Sequence, residues 1–253
     1  MSTGSAAAPG WAVTDRLGIG PVDGGSRPAG GGIGVSAPPY DSFNLGLAVG
    51  DDPAAVAANR SGLAAALGLA AGHLIWMAQV HGTNVATVTG PLHDPVPGTD
   101  ALVSTVPGIG LAVLVADCVP VLLADRSAGV IGAAHAGRVG AAGGVVPAVL
   151  AAMVRLGAHP GDVEVLLGPA ICGRCYEVPE AMRDEVGSQL PGSACETADG
   201  TPGLDLRAGI QGQLRAAGVT SIYIDTRCTR EDLTLYSHRR AVPSGRFAAV
   251  VRQ

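Results

Sequence analysis

The stretch GLAVLVADCVPVLLADRSAGVIGAAHAG, residues 110–137, decides the fold. It holds three short apolar runs, at 110–116, 120–124 and 129–134, each bounded by Gly, Pro or Asp. Such runs fit strands buried on both faces, although periodicity alone leaves a buried helix open. Working outward, residues 74–80 (LIWMAQV) read as another buried strand, with 85–89 as its continuation or partner. Further strands are predicted at 163–167, 221–224 and 246–251. Asp51-Asp52-Pro53 opens a helix, with an acidic cap and Pro in the first turn, and the Ala- and Leu-rich run carries it to Gly68. A second helix is predicted over 145–156, ended by Gly157, with Pro147 near its start or kinking it. Two more lie near 179–189 and 205–217. The irregular alternation of strands and helices predicts an α+β layered fold with mixed sheets. Residues 1–30, rich in Gly, Ala, Ser and Pro, read as a flexible leader that packs little, and 31–253 as one domain.

The chain has 253 residues, 47% hydrophobic and 15% charged, with a mean hydropathy of +0.35. It can bury a sizeable core, which excludes disorder for most of its length. All 16 basic residues are Arg. The absence of Lys excludes Schiff-base chemistry and a P-loop lysine. A net charge of -5 with 3% aromatics argues against a nucleic-acid footprint or a stacking platform, so anion binding needs a local Arg cluster. The apolar stretches 106–125 and 128–153 are interrupted by Asp117, Pro120, His135 and Arg138 and do not read as membrane spans. With neither a signal peptide nor a disulfide framework to be read, a soluble cytoplasmic protein is expected.

His81, Cys118 and His135 share one context: each follows a buried apolar run and precedes a turn. Two imidazoles and a thiolate form a three-ligand zinc set with a fourth position left for water. The spacings of 37 and 17 residues are long-range, and buried structural His and Cys remain the alternative. Cys118 as a nucleophile, with His135 or His81 as base, is a second chemical reading. Asp117 either orients a partner or caps a turn. Arg60 sits on the first helix, solvated or binding an anion; Gln79 either lines a site or satisfies buried backbone. Asn44 holds a turn or, less readily, meets substrate. Arg239 and Arg240 are adjacent and in extended chain point oppositely, so at most one reaches a pocket. Cys172 and Cys175 form a CxxC with no second pair, which reads as loop packing, and Cys228 as core.

The runs Pro39–Gly46, Val49–Asp52 and Asn59-Arg60 resemble the opening of the YfiH/laccase-domain family, also described as multicopper polyphenol oxidase-like proteins, purine nucleoside phosphorylases and peptidoglycan editing factor. Its other signatures follow in order: Gln79–Gly82, Thr99–Ala101, Ala116–Pro120, Ala133–Gly137, Gly168–Ile171, Cys175–Val178, Ser237–Arg240 and Gly245-Arg246. The resemblance covers residues 31–253. It implies a four-layer α/β/β/α sandwich with mixed sheets and a zinc ion on His81, Cys118 and His135, with copper as a substitute. It implies phosphorolysis of inosine or adenosine, with adenosine deamination also known in the family. The implied partners are a purine nucleoside and phosphate, for which Asn44, Arg60, Gln79, Arg138 and Arg240 are the candidate binding residues, and neither nucleic acid nor membrane is expected as a partner.

The family usually reads His-Ala-Gly-Trp-Arg-Gly where this chain has His135-Ala136-Gly137-Arg138-Val139-Gly140. The guanidinium is thus displaced by one residue. Peptidoglycan-precursor hydrolysis and copper-dependent phenol oxidation are the alternatives the resemblance carries. Six His in the whole chain are too few for a four-copper laccase, although a single copper could occupy the zinc position.

Overall fold

The structure is a computed structural model and describes residues 10–20 and 34–253. Strands β1 (Gly10–Asp15) and β2 (Gly18–Gly20) precede helix α1 (Pro53–Ala66). Five short strands follow: β3 (Leu74–Ile75), β4 (Met77–Ala78), β5 (Val85–Val88), β6 (Val96–Pro97) and β7 (Ala101–Ser104). The central run gives β8 (Gly110–Val115), β9 (Val119–Asp125) and β10 (Val130–Ala136), then α2 (Arg138–Ala142) and α3 (Val145–Arg155). The remaining elements are β11 (Glu164–Leu167), α4 (Glu180–Gln189), β12 (Ala194–Glu196), β13 (Pro202–Leu204), α5 (Leu206–Ala216), β14 (Ser221–Ile224) and β15 (Phe247–Arg252).

Two mixed sheets result, ordered β2-β1-β15-β8-β3 and β14-β11-β9-β10-β7-β5. The pairs β3/β8, β5/β7 and β11/β14 are parallel; the other neighbours in these sheets are antiparallel. The two-residue period of a strand explains the layering. On β9, Val119, Val121 and Leu123 face α3 through Val145, Val149 and Met153. The alternate residues Leu122 and Ala124 face the other sheet at Leu111, Val113 and Phe247. On the far side of that sheet, Leu63 of α1 packs with Phe43, Leu45, Ala112 and Val250. The layers are therefore α1, sheet, sheet, and the group α2–α5. Both central strands are apolar on both faces because both faces are covered, and each fully buried Leu among them contributes about 1.5–3 kcal/mol. Among the described residues no helix is long and apolar enough to cross a membrane.

α1 starts where the cap predicts, with the Asp52 carboxylate accepting from the Ala54 N–H at 2.9 Å. Two expectations need correction. The loose leader expected over residues 1–30 does not extend through 10–20: β1 pairs with β15 and β2, and Ala12, Val13 and Thr14 are buried. The rest of that leader lies outside the described residues. The run LIWMAQV is not one strand. Leu74-Ile75 pairs with β8 and Met77-Ala78 with β6, so the chain changes partners at Trp76.

Asp125 ends β9 fully buried and accepts from the Ser127 hydroxyl (2.7 Å) and the N–H groups of Ala128 (2.9 Å) and His159 (2.9 Å). Burial opposes its charge, but these donors outweigh burial and hold its carboxyl below the ordinary range. Asp125→Ala is expected to cost about 2 kcal/mol at pH 7 in urea denaturation, because buried donors lose their acceptor. A carboxyl depressed on folding stabilises above its unfolded pKa and loses that contribution as pH falls through the folded value. The gap between variant and natural chain should therefore be full above about pH 4 and narrow below it.

Candidate metal centre and its cavity

Three elements deliver the donors. His135 is the penultimate residue of β10, on the same face as Ile131 and Ala133, and points between the sheets. Cys118 stands in the link where the chain leaves β8 for β9 and so passes from one sheet to the other. Asp117 makes that turn with φ of +96°. Its carboxylate accepts from the Thr229 hydroxyl (2.6 Å) and the Arg239 N–H (2.7 Å), and its carbonyl from the Ile171 N–H (3.0 Å). These bonds hold a conformation that L residues rarely adopt. His81 follows β4 and has φ of +61°.

The ligand atoms of His81, Cys118 and His135 all lie within 4.8 Å of one another, a group that can hold a metal ion. Burial grades from exposed His81 through Cys118 to buried His135, so the group opens on one side. The two imidazoles meet edge to face at 4.7 Å between centroids. Gly137 lies against all three: a Cβ there would stand 2.9 Å from His81 Cδ2 and 3.1 Å from Cys118 Sγ. A side chain at 137 would thus displace two of the donors.

One carboxylate organises both histidines. Asp100, fully buried, accepts His135 Nδ1 at 2.8 Å. The same carboxylate accepts the N–H groups of Val80 (3.1 Å), His81 (2.9 Å) and Gly82 (2.7 Å), fixing the strained turn that carries His81. Its backbone carbonyl also accepts the His135 N–H at 2.8 Å. Burial penalises the charge on Asp100, but His135 and the turn donors outweigh it and lower its pKa. Burial alone would push the Cys118 thiol up; hydrogen bonds from His135 and His81 bring it down to about 6. Burial likewise opposes charge on His135, but Asp100 and Cys118 raise it to about 9. Each group thus favours the charged form of the other, and a metal ion would take the place of the proton between them.

The donors open onto a cavity of about 720 Å³. Arg60, Arg138, Arg239 and Arg246 line it, and among the described residues Asp117 is the one carboxylate on its wall. None of the four arginines is in an ion pair among the described residues. Arg60 stacks over Trp76 at 4.2 Å and donates Nε to the Leu45 carbonyl at 2.8 Å. Burial lowers its pKa to about 10, so it stays charged at neutral pH. Arg246 donates its own N–H to Asn44 Oδ1 (2.8 Å) and accepts the Leu45 N–H (3.0 Å). Arg60 and Arg246 therefore flank the same turn, Asn44–Gly46.

The residues expected to meet substrate divide. Arg60, Gln79 and Arg138 line the cavity; Asn44 and Arg240 do not. Asn44 is fully buried, and its amide bonds Gly46, Asp51 and Arg246, so it shapes the turn beneath the arginines. Gln79 is engaged at both ends with the backbone of Leu114, at 2.8 Å each. Of the adjacent pair, Arg239 reaches the cavity, and Arg240 turns its guanidinium onto the carbonyls of Thr229, Arg230, Asp232 and Leu235. At the departure from the usual turn, Arg138 faces the cavity beside Tyr176, whereas Val139 is 55% exposed and is not in its wall. Sequence reasoning assigned no role to Asp100, Tyr176, His238 or Arg246. The signal for Asp100 was a ligand histidine's need for an acceptor on its second ring nitrogen.

A family model described as multi-copper polyphenol oxidoreductase laccase matches residues 30–253. A Mycobacterium tuberculosis protein named purine nucleoside phosphorylase is 59% identical over 86% of this chain and 87% of its own length. A Streptomyces griseus protein of the same name is 54% identical over 86% of this chain and 89% of its own. Among solved structures, YlmD from Geobacillus stearothermophilus superposes with a TM-score of 0.84 at 34% identity, covering 98% of this chain and 93% of that one. Bacillus licheniformis YfiH gives 0.80 at 30%, covering 87% and 88%.

Asp100→Ala should leave the three turn N–H groups and His135 without their acceptor. The expected loss is about 3 kcal/mol or more, at about 1–3 kcal/mol for each donor that water cannot reach. Guanidinium denaturation followed by circular dichroism measures it; a loss under about 0.5 kcal/mol, the range of an ordinary surface change, would show that the turn holds itself.

Proposed function

We propose that this chain, which belongs to the multi-copper polyphenol oxidoreductase laccase family, is a zinc-dependent purine nucleoside phosphorylase. The observation that carries this reading is one cavity joining a metal-capable triad to four arginines that have no ion-pair partner among the described residues. A cleft lined mainly by cations, three of the four half-buried, favours an incoming anion. The names of the relatives supply the substrate class.

The donor chemistry fits zinc: two imidazole nitrogens, one thiol already inclined to ionise, and a carboxylate on the second nitrogen of His135. Bound there, the ion would supply Lewis acidity at the cavity floor. Phosphorolysis forms a bond from phosphate oxygen to the anomeric carbon and breaks the bond to the purine nitrogen. The phosphate must be held in line, and the charge gathering on the purine must be met. Arg60 and Arg246 hold the phosphate: the Leu45 carbonyl fixes the Arg60 guanidinium, the carbonyls of Ser244 and Gly245 fix that of Arg246 through one nitrogen, and Arg60 keeps two nitrogens for bidentate contact. Tyr176, with Arg239 stacked 5.0 Å over its ring, offers an aromatic face to the purine. Arg138 meets its developing charge, and His238 at the mouth is a proton carrier in the same cavity.

The multi-copper part of the family's description does not extend to this reading. Among the described residues, the two groups that can hold a metal contain two histidines between them, too few for a cluster of several coppers.

Inosine should yield hypoxanthine only when phosphate is present, and a chelator should abolish the reaction until zinc is restored. Arg60→Ala should raise the KM for phosphate roughly ten- to hundredfold, the worth of one charge-assisted contact. Base release that persists undiminished without phosphate would make the protein a nucleosidase. Conversion of adenosine to inosine with no base released would make it a deaminase.

A further inference from the structure

Beside the cavity residues Ile171 and Tyr176, two loops bring three more cysteines together. Cys172 and Cys175 lie in the turn after Ile171, and Cys228 and Glu231 lie in the segment between β14 and β15. Their sulfur and carboxylate atoms all fall within 4.8 Å of one another. From the geometry we infer that Cys172, Cys175, Cys228 and Glu231 form a second metal site, structural in kind, that takes a zinc ion.

The loops are already registered on each other. Ala170 and Cys228 form a parallel bridge, and the Thr229 N–H donates to the Ala170 carbonyl at 3.2 Å. The Cys172 carbonyl accepts the N–H groups of Cys175 (2.9 Å) and Tyr176 (3.0 Å), and this compact turn brings both its thiols to one side. The Cys228 sulfur accepts the Cys172 N–H at 3.4 Å, and the backbone N–H groups of Arg230 and Glu231 also approach it. A ring of amide donors around sulfur suits a thiolate. Cys175 Sγ stands 3.5 Å from Glu231 Oε1, so the carboxylate completes a four-donor set.

Three sulfurs and one oxygen at this spacing match a closed zinc site, and sulfur-rich donors select against magnesium and calcium. Cys175 and Cys228 are buried, Cys172 is half-buried and Glu231 is exposed, so the ion would enter from the Glu231 side. Three thiolates and a carboxylate carry four negative charges and leave two when zinc is bound. Arg230, which donates to the Cys175 carbonyl at 3.1 Å, is the nearest cation the hydrogen bonds identify to offset the remaining charge.

This site would tie the loop carrying Tyr176 to the segment carrying His238 and Arg239. It stands on its own donors and does not depend on the reading of the first site. The test starts from the full chain purified under reducing conditions and loaded with zinc. A Cys118→Ala, His135→Ala double variant should still hold one zinc per chain by elemental analysis, and adding Cys228→Ser should remove it. A double variant that is folded by circular dichroism and holds no zinc overturns the site. Should the double variant not fold, cobalt(II) titration of the natural chain decides. Sulfur-to-cobalt absorption from a site with three thiolates supports the proposal. Absorption of only one-thiolate strength at saturation overturns it. A disulfide among Cys172, Cys175 and Cys228 in zinc-loaded protein kept reduced overturns it as well.

Discussion

The Asp100 carboxylate joins parts of the chain that the topology alone leaves separate. His135 belongs to a strand of the six-stranded sheet. His81 sits on a turn with positive φ whose strand pairs in neither large sheet. Four donors converge on the one buried carboxylate: three from that turn and one from the His135 ring. A buried carboxylate with this many donors is stable as an anion. It fixes the tautomer of His135 by occupying Nδ1 and so leaves the other nitrogen for an incoming ion. The strain at His81 and at Asp117 is held by side chains outside the triad, as expected where a rigid frame over-determines an unusual backbone.

The cavity continues the same electrostatic pattern. On its floor Cys118 and His135 each favour the charged form of the other, and its walls carry four arginines. A chain without lysine has cations that stay protonated even when half-buried. Arg60 shows this, for desolvation lowers its pKa only to about 10. The planar guanidinium also lets Arg60 stack on Trp76 and Arg239 on Tyr176 while keeping nitrogens free for bidentate contact. Asn44, outside the cavity, matters because the turn it shapes carries the Arg246 backbone and the Leu45 carbonyl that Arg60 grips.

How much of this was legible in the sequence depends on the range of each interaction. α1 was legible because Asp52 and Pro53 act within one turn. β8, β9 and β10 were legible because Gly, Pro and Asp bracket apolar runs. The three donors of the centre could be picked out by their shared position after such runs. β1 was hidden in a Gly- and Ala-rich leader because its partner β15 lies at the other end of the chain. Asp100 gave no local sign, since its bonds reach 18 to 35 residues away. The expectation that at most one of Arg239 and Arg240 reaches the cavity was argued for extended chain, whereas the pair lies in a turn, and the carbonyls that capture Arg240 decide which one faces the cavity. The CxxC at Cys172 and Cys175 looked incomplete because its third thiol arrives from 56 residues downstream.

The central claim is that Asp100 presents two imidazoles beside the Cys118 sulfur as one preformed metal site. A crystal structure of the zinc-loaded chain, with anomalous difference maps recorded on either side of the zinc edge, tests it most directly. The account expects an edge-specific peak bonded to His81, Cys118 and His135, with the Asp100 carboxylate still on His135 Nδ1 and outside the coordination sphere. No peak at that position, or a peak with Asp100 itself as a ligand in place of Cys118, would contradict it.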